Sequence, residues 1–423
     1  MSRRSIVVAT LSTVVEWYDF TLYLYLATVL SRTFFGGGAG ALDDALVGFA
    51  IAYLMRPLGA ILFGHIGDRY GRRVTMLLSM ALMTAAMLAT ALLPTYAQVG
   101  PWAGWMLLFL RCVMAFSVGG EYTGVVAYLM EGAPRHRRGL VTSLAAAASE
   151  IGGLLAVALS AITVASLDQA SLDAWGWRVP FFVGAALAAM VLLARSTIEE
   201  SPDFLQQQAK GSVPRNPLRH SLTHHRAAIA RGFAISALGS ITYYVGIVYV
   251  PSFLTSTKAM DESMALQLST IAAVAVVLIT PLVGLLADRI GRKPVLVALA
   301  VIGTLLPVLM FSIMANGPYA LALGGAILLA CLGGGVSAVG AVTTAEQFPG
   351  EGRLSGLAFG ATSATAIFGG LTPYLSHMLV SRTGWMPAPG AMIAIVALCV
   401  LPVLLRLPET AGRKRACNFQ SET

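Results

Sequence analysis

The sequence predicts an all-α membrane protein, with twelve transmembrane helices in two six-helix bundles. Three observations carry this. Apolar residues make up 57% of the chain, charged residues 11%, and the mean hydropathy is +0.76, whereas a soluble domain carries roughly 25% charged residues. Apolar runs of about 20 residues, long enough to cross a hydrocarbon core, recur along the chain. One short phrase also occurs twice: Gly64-His65-Ile66-Gly67-Asp68-Arg69-Tyr70-Gly71-Arg72-Arg73 returns as Gly284-Leu285-Leu286-Ala287-Asp288-Arg289-Ile290-Gly291-Arg292-Lys293. Each copy fills a tight polar gap between two apolar runs, so the chain reads as two parallel repeats of one membrane unit.

Spans are expected at 6–31, 44–66, 74–95, 101–131, 139–165 and 176–196 in the first bundle, residues 1–196. The second bundle, 227–407, carries them at 227–255, 264–287, 294–314, 317–345, 354–380 and 388–407. Between the bundles lies the only long polar interruption, 197–226, with Pro202, Pro214, Pro217 and Gln206 to Gln208; it reads as a cytoplasmic linker. Residues 408–423 form a cytoplasmic tail. Most of the 28 Lys and Arg fall at the N-terminus, the even-numbered connections and the tail. Both termini are therefore expected in the cytoplasm.

The net charge of +8 is this topological bias rather than a nucleic-acid footprint. The first apolar run holds Glu16 and Asp19 and lacks a cleavage site, so no cleavable signal is read. Cys112, Cys331, Cys399 and Cys417 have neither disulfide nor metal spacing. No Walker loop, nucleophile elbow or metal cluster supports an enzyme. The expected partners are a small-molecule substrate and the lipid bilayer, the expected state is a monomer, and the coupling ion is a proton with no other cofactor.

Buried charge carries the functional information, because an ionisable side chain near the bilayer centre costs about 2.5–3.5 kcal/mol. The first half has six: Glu16 and Asp19 in span one, Arg56 in span two, Arg111 and Glu121 in span four, and Glu150 in span five. Glu16 and Asp19 share one helix side with Tyr23 a turn further on. Asp19 and Arg111 come out at similar depth, roughly 15–20 Å along their helices, and can pair. Such a pair serves either coupling or static packing. Glu150 lies among Ala145 to Ala148, Ser149, Gly152 and Gly153, small residues that let neighbouring helices approach. Burial disfavours its charged form, which suits a proton carrier; a protonated packing residue is the other reading. Glu16, Asp19, Glu150 and Glu121 are the proton-coupling candidates, with a gate or packing role equally open for Glu121.

The repeated loops read as a latch. Asp68 and Asp288 can face the N-terminus of a helix from the other half, where the dipole favours a carboxylate. Arg69, Arg72, Arg289 and Arg292 can pair with Glu131 and Glu346. Plain topogenic charge is the simpler reading, but it would not need the fixed Gly and Asp.

The repeated pattern, Gly-x-x-x-Asp-Arg-x-Gly-Arg-Lys/Arg, resembles the loop signature of the major facilitator superfamily of secondary transporters. Four further phrases narrow the resemblance: Glu16-Trp17-Tyr18-Asp19-Phe20, Met55-Arg56-Pro57-Leu58-Gly59, Phe116-Ser117-Val118-Gly119-Gly120-Glu121-Tyr122 and Trp175-Gly176-Trp177-Arg178-Val179-Pro180-Phe181. Together they look like the metabolite:proton symporters, which include carriers of citrate, 2-oxoglutarate, shikimate and proline/betaine. The resemblance implies that Glu16, Asp19, Arg56, Arg111 and Glu121 line or gate the cavity. Span eleven is similar to the citrate carriers, and Thr242-Tyr243-Tyr244 with Tyr249 looks more like the proline/betaine carriers. Glu150 is not explained by the resemblance.

The leading expectation is proton-driven uptake of a small carboxylate-bearing metabolite, such as a di- or tricarboxylate. Arg111 and Arg56 would hold the carboxylate, since guanidinium matches it bidentately; Tyr23, Thr242, Tyr243, Tyr244 and Tyr249 would complete the site. A zwitterion such as proline or betaine is the alternative, because tyrosines can cage a quaternary ammonium. Proton-coupled efflux is a minor one, and span five lacks the proline usual in such antiporters.

Overall fold

The computed structural model describes residues 3–38, 40–119, 121–196, 222–348 and 353–411, with isolated positions between 200 and 209. Most of the expected linker and the tail beyond 411 lie outside the described residues. Every regular element among the described residues is helical. The helices assemble into twelve spans in two bundles.

Eight spans are single helices long and apolar enough to cross a membrane. They are span two (Ala41–Tyr70), three (Arg72–Ala91), five (Arg138–Ser166), six (Arg178–Arg195), eight (Glu262–Ile290), nine (Arg292–Asn316), ten (Tyr319–Glu346) and twelve (Ala388–Leu405). The other four are broken, although the apolar runs read as continuous. Span one is Arg3–Tyr25 followed by Ala27–Phe35, and span four is Trp102–Ser117 followed by Glu121–Gly132. Span seven runs Arg226–Tyr243, passes through a π-turn at Tyr244–Val248 and continues as Val250–Ser256, bent by 45°. Span eleven does the same, with Arg353–Thr365, a π-turn at Ala366–Leu371 and Thr372–Thr383. Irregular backbone at membrane depth needs protein or a cavity around it, since lipid cannot satisfy its polar groups. All four broken spans border the space between the two bundles.

The repeated loops explain their own glycines. Gly71 and Gly291 turn the chain between spans two and three and between eight and nine at φ +110° and +114°. A side chain rarely adopts this left-handed backbone, so glycine occupies the same place in both copies.

The halves touch through one apolar core that includes Tyr18, Phe49 and Tyr53 of the first half and Tyr244, Tyr249 and Phe253 of the second. A smaller cluster joins them at the end carrying the repeated loops, where Val126, Leu129 and Met130 of span four meet Ala345, Phe348 and Leu357. The space between these two packed regions holds the candidate site.

Candidate substrate cavity and gate network

A cavity of about 120 Å³ lies between the bundles. Its first-half wall is Glu16, Trp17, Arg56, Gly119 and Tyr122; its second-half wall includes Ser240, Tyr243, Tyr244, Ser337, Thr344, Thr362 and Thr365. Arg56 reaches this wall because spans two and four meet backbone to backbone beside it. A Cβ on Gly59 would stand 1.9 Å from the Phe116 carbonyl oxygen, and one on Gly119 would stand 2.2 Å from that of Arg56. No other residue fits at either place.

Arg56 Nη2 donates to Glu16 Oε1 at 2.8 Å, and its guanidinium lies 4.1 Å from the Phe20 ring centre and 4.9 Å from that of Tyr53. Both charged groups are almost fully buried. Beside them stands an aromatic wall. Trp17 packs edge-on against Tyr243 at 4.9 Å and Tyr122 at 5.8 Å, and stacks on Tyr244 at 6.1 Å. The Tyr244 hydroxyl meets that of Tyr53 across the two halves. The indole N–H of Trp17 has no hydrogen-bond partner among the described residues. It is thus a donor on the cavity wall.

The sequence grouped seven residues as one substrate site, and the structure keeps three on the wall: Arg56, Tyr243 and Tyr244. Arg111, Tyr23, Thr242 and Tyr249 are placed elsewhere. Arg111 spends its planar fork on Asp19, with Nη1 at 2.8 Å and Nη2 at 3.3 Å, and Nη2 also reaches the Thr90 hydroxyl at 3.3 Å. Tyr23 donates to the Ala45 carbonyl at 2.9 Å. Thr242 donates back to Leu238 O at 2.8 Å within its own helix, and Tyr249 is buried against Phe253. Glu16 and Asp19, expected together on one helix side, are drawn to different arginines. Trp17 and Tyr122 were missed, although both sat inside the quoted phrases. The flanking charges drew attention away from them.

Glu150 is buried and remains behind the wall, not on it. The side chain of Glu121 lies outside the described residues, as do those of Asp68, Arg72 and Glu131.

At the loop end, Asp288 crosses to the first half. Its Oδ1 accepts from Gly139 N at 2.9 Å and its Oδ2 from Leu140 N at 2.8 Å, capping the start of span five. Arg292, 1% exposed, binds Asp288 at 2.9 Å and Glu346 at 3.4 Å, and Glu346 accepts from the Thr410 hydroxyl. Arg69 and Arg289, expected in the same network, are exposed instead. Two further carboxylates complete the picture. Glu409 accepts from Arg292 N at 3.0 Å and Lys293 N at 3.1 Å, and Glu200 accepts from Arg73 N at 3.2 Å, so each caps the span that follows a repeated loop. An acidic residue just past the sixth span of each repeat was the available signal. Burial opposes ionisation of Glu409, but backbone N–H groups of Ala411, Arg292 and Lys293 and the Arg292 charge outweigh it and hold its carboxyl below the usual range.

The opposite end has its own cross-links. Glu262 of span eight accepts from Thr28 and lies 3.7 Å from Arg32 of span one, which also pairs with Asp173 at 3.3 Å.

Two bundles around a buried, charged cavity, with contacts between them at both ends, are the architecture of a secondary carrier. Sequence comparisons agree. The family described as "Sugar (and other) transporter" matches residues 5–218, and that described as "Major Facilitator Superfamily" matches residues 232–421. The chain is 33% identical to the alpha-ketoglutarate permease of Escherichia coli K12, over 89% of this chain and 87% of that one. It is 30% identical to the glycine betaine/proline/ectoine/pipecolic acid transporter OusA of Dickeya dadantii, over 97% and 84%. In fold it is similar to the partially occluded, inward-open xylose transporter XylE of E. coli, with TM-score 0.77 at 21% identity and coverage of 97% and 98%. The chain belongs to the major facilitator superfamily, in its family of metabolite:proton symporters, and is a multi-pass membrane transporter rather than an enzyme.

Proposed function

We propose that this protein couples proton entry to uptake of one small carboxylate-bearing solute, and that a zwitterion fits its cavity better than a di- or tricarboxylate. The observation that carries this is the pairing of Arg56 with Glu16 on the cavity wall beside Trp17, Tyr122, Tyr243 and Tyr244. Among the described residues the wall offers one guanidinium, already matched by one carboxylate, so their net charge is near zero. A zwitterion can exchange into that pair charge for charge. Its carboxylate takes the Arg56 fork and the Trp17 N–H, and its cationic head takes Glu16 and the aromatic faces. A dicarboxylate would bring two charges to one shared cation.

The relatives support both classes, since one is named for betaine and proline and another for alpha-ketoglutarate. For the dicarboxylate to bind, Arg111 would have to leave Asp19. The chain acts as a monomer, because one chain encloses one cavity. The Lys and Arg bias supports a bacterial inner-membrane location with both termini cytoplasmic. The proton is the sole coupling ion.

Purified protein in vesicles with an inward proton gradient tests this. Glycine betaine or proline should accumulate, more strongly than 2-oxoglutarate or citrate, and a protonophore should abolish it while sodium removal should not. Strict sodium dependence would overturn the coupling, and preference for 2-oxoglutarate would overturn the zwitterion.

A further inference from the structure

Glu150 sits near the middle of span five, 3% exposed, and its Oε1 has no hydrogen-bond partner among the described residues. Among the described residues, the other fully buried carboxylates of the first half are paired: Arg56 holds Glu16 and Arg111 holds Asp19. Glu150 takes part in none of the ion pairs among the described residues.

Its surroundings are phenolic. Span five packs on span one, which carries Tyr25, and on span four, which carries Tyr122; Tyr243 and Tyr244 of span seven adjoin each other with ring centres 5.3 Å apart. The Tyr243 hydroxyl stands 3.0 Å from where a Cβ on Gly153 would be, one helical turn along the same face. Glu16, bound to Arg56, lines the cavity with Tyr122 and Tyr244. Spans eight and ten also pack on span five, and they carry their carboxylates and arginine only at their ends.

A bare negative charge in this position is strongly disfavoured, so the group is stable when neutral. Tyr122 and Tyr243 line the cavity and Glu150 does not. Both tyrosines bear hydroxyls, and the carboxyl itself is no part of the cavity lining. We infer that Glu150 takes up and releases the coupling proton, reached from the cavity through the Tyr122 and Tyr243 hydroxyls, without touching the solute. This rests on the proton-coupled reading above. With the cavity open outward, a hydronium ion gives one proton to the carboxylate: an O–H bond of the hydronium breaks, leaving water, and a carboxyl O–H bond forms. With the cavity open inward, that bond breaks and the proton returns to water, leaving the carboxylate.

The test compares wild type, Glu150→Gln and Glu150→Asp in vesicles, using radiolabelled glycine betaine or, if wild type prefers it, 2-oxoglutarate. Gln keeps the shape and cannot ionise. It should reduce proton-driven accumulation by more than tenfold while counterflow exchange and affinity stay within about threefold, since exchange needs the alternating motion but no net proton release. Asp keeps the ionisable group and should retain accumulation with a displaced pH profile. Intact accumulation in Glu150→Gln would show a packing residue, and a tenfold loss of affinity there would show a contact to the solute; either overturns the inference. If Glu150→Gln fails to fold, Glu150→Asp decides: a folded Asp variant that exchanges but cannot accumulate also overturns it. Failure of the symport reading shows separately, as wild-type uptake that survives a protonophore.

Discussion

Asp288 Oδ1 lies 2.9 Å from the backbone N–H of Gly139, so a carboxylate of the second repeat caps a helix of the first. Gly139 permits it, because a Cβ there would come within 2.7 Å of that same oxygen. The contact joins the halves away from the cavity. If the two halves separate at this end during transport, the contact would bias which end is closed without entering the solute site.

Asp288→Asn should remove the charge from the helix end and one of the two acceptors. The loss is on the order of 1 kcal/mol of closed-end stability. Solute affinity, measured by the thermal shift with added substrate, should stay within a few-fold, while turnover changes. A tenfold loss of affinity would count against a gate.

The two copies of the repeat should respond differently to the same substitution. A Cβ on Gly284 would stand 2.6 Å from Ser143 Oγ and 2.9 Å from Gly139 O, whereas among the described residues the nearest atom for Gly64 is Ser355 Oγ at 3.9 Å. Gly284→Ala should destabilise by about 1–3 kcal/mol through overpacking and slow transport. Gly64→Ala should be close to neutral. Melting temperatures of the two variants side by side check this, and equal effects would show that the asymmetry is unimportant.

Arg56→Lys and Arg111→Lys separate the wall from the scaffold. Lys keeps the charge and loses the planar fork. Arg56→Lys should weaken binding by tenfold or more with a small change in melting temperature. Arg111→Lys should leave the affinity of folded protein nearly unchanged and lower its stability by roughly 1–3 kcal/mol, because a buried Asp19 loses its bidentate partner. Affinity and melting measured on both variants would refute this if the pattern reversed.

Glu409 gives a pH dependence outside the membrane. Its folded-state carboxyl is held below its ordinary value of about 4.3, so its contribution is present above that value and is lost as pH falls through the lower, folded one. The group is exposed, and after solvent screening the effect is at most roughly a few tenths of a kcal/mol. Glu409→Gln should flatten the acid side of the stability profile below about pH 4 and leave pH 7 transport nearly intact. An unchanged acid limb would remove Glu409 from the cap.

Much of this protein was determined by the sequence alone. Apolar length fixes the spans, because a helix must bury its backbone polar groups across a hydrocarbon core of set thickness. The duplicated Gly and Asp-Arg pattern fixes the two repeats, and the left-handed turns at Gly71 and Gly291 give its second glycine a local cause. Charge in apolar runs singled out Glu16, Asp19, Arg56 and Arg111, and all four lie buried in ion pairs. Only the tertiary structure decided who pairs with whom. Depth along a helix gave Asp19 and Arg111 as partners, but rotation about the helix axis set Glu16 on Arg56 at the cavity and sealed Arg111 away from it. The breaks in spans one, four, seven and eleven were equally hidden. An apolar run looks the same whether its helix is whole or interrupted, and the space between the bundles that tolerates the interruption exists only once the two halves have met.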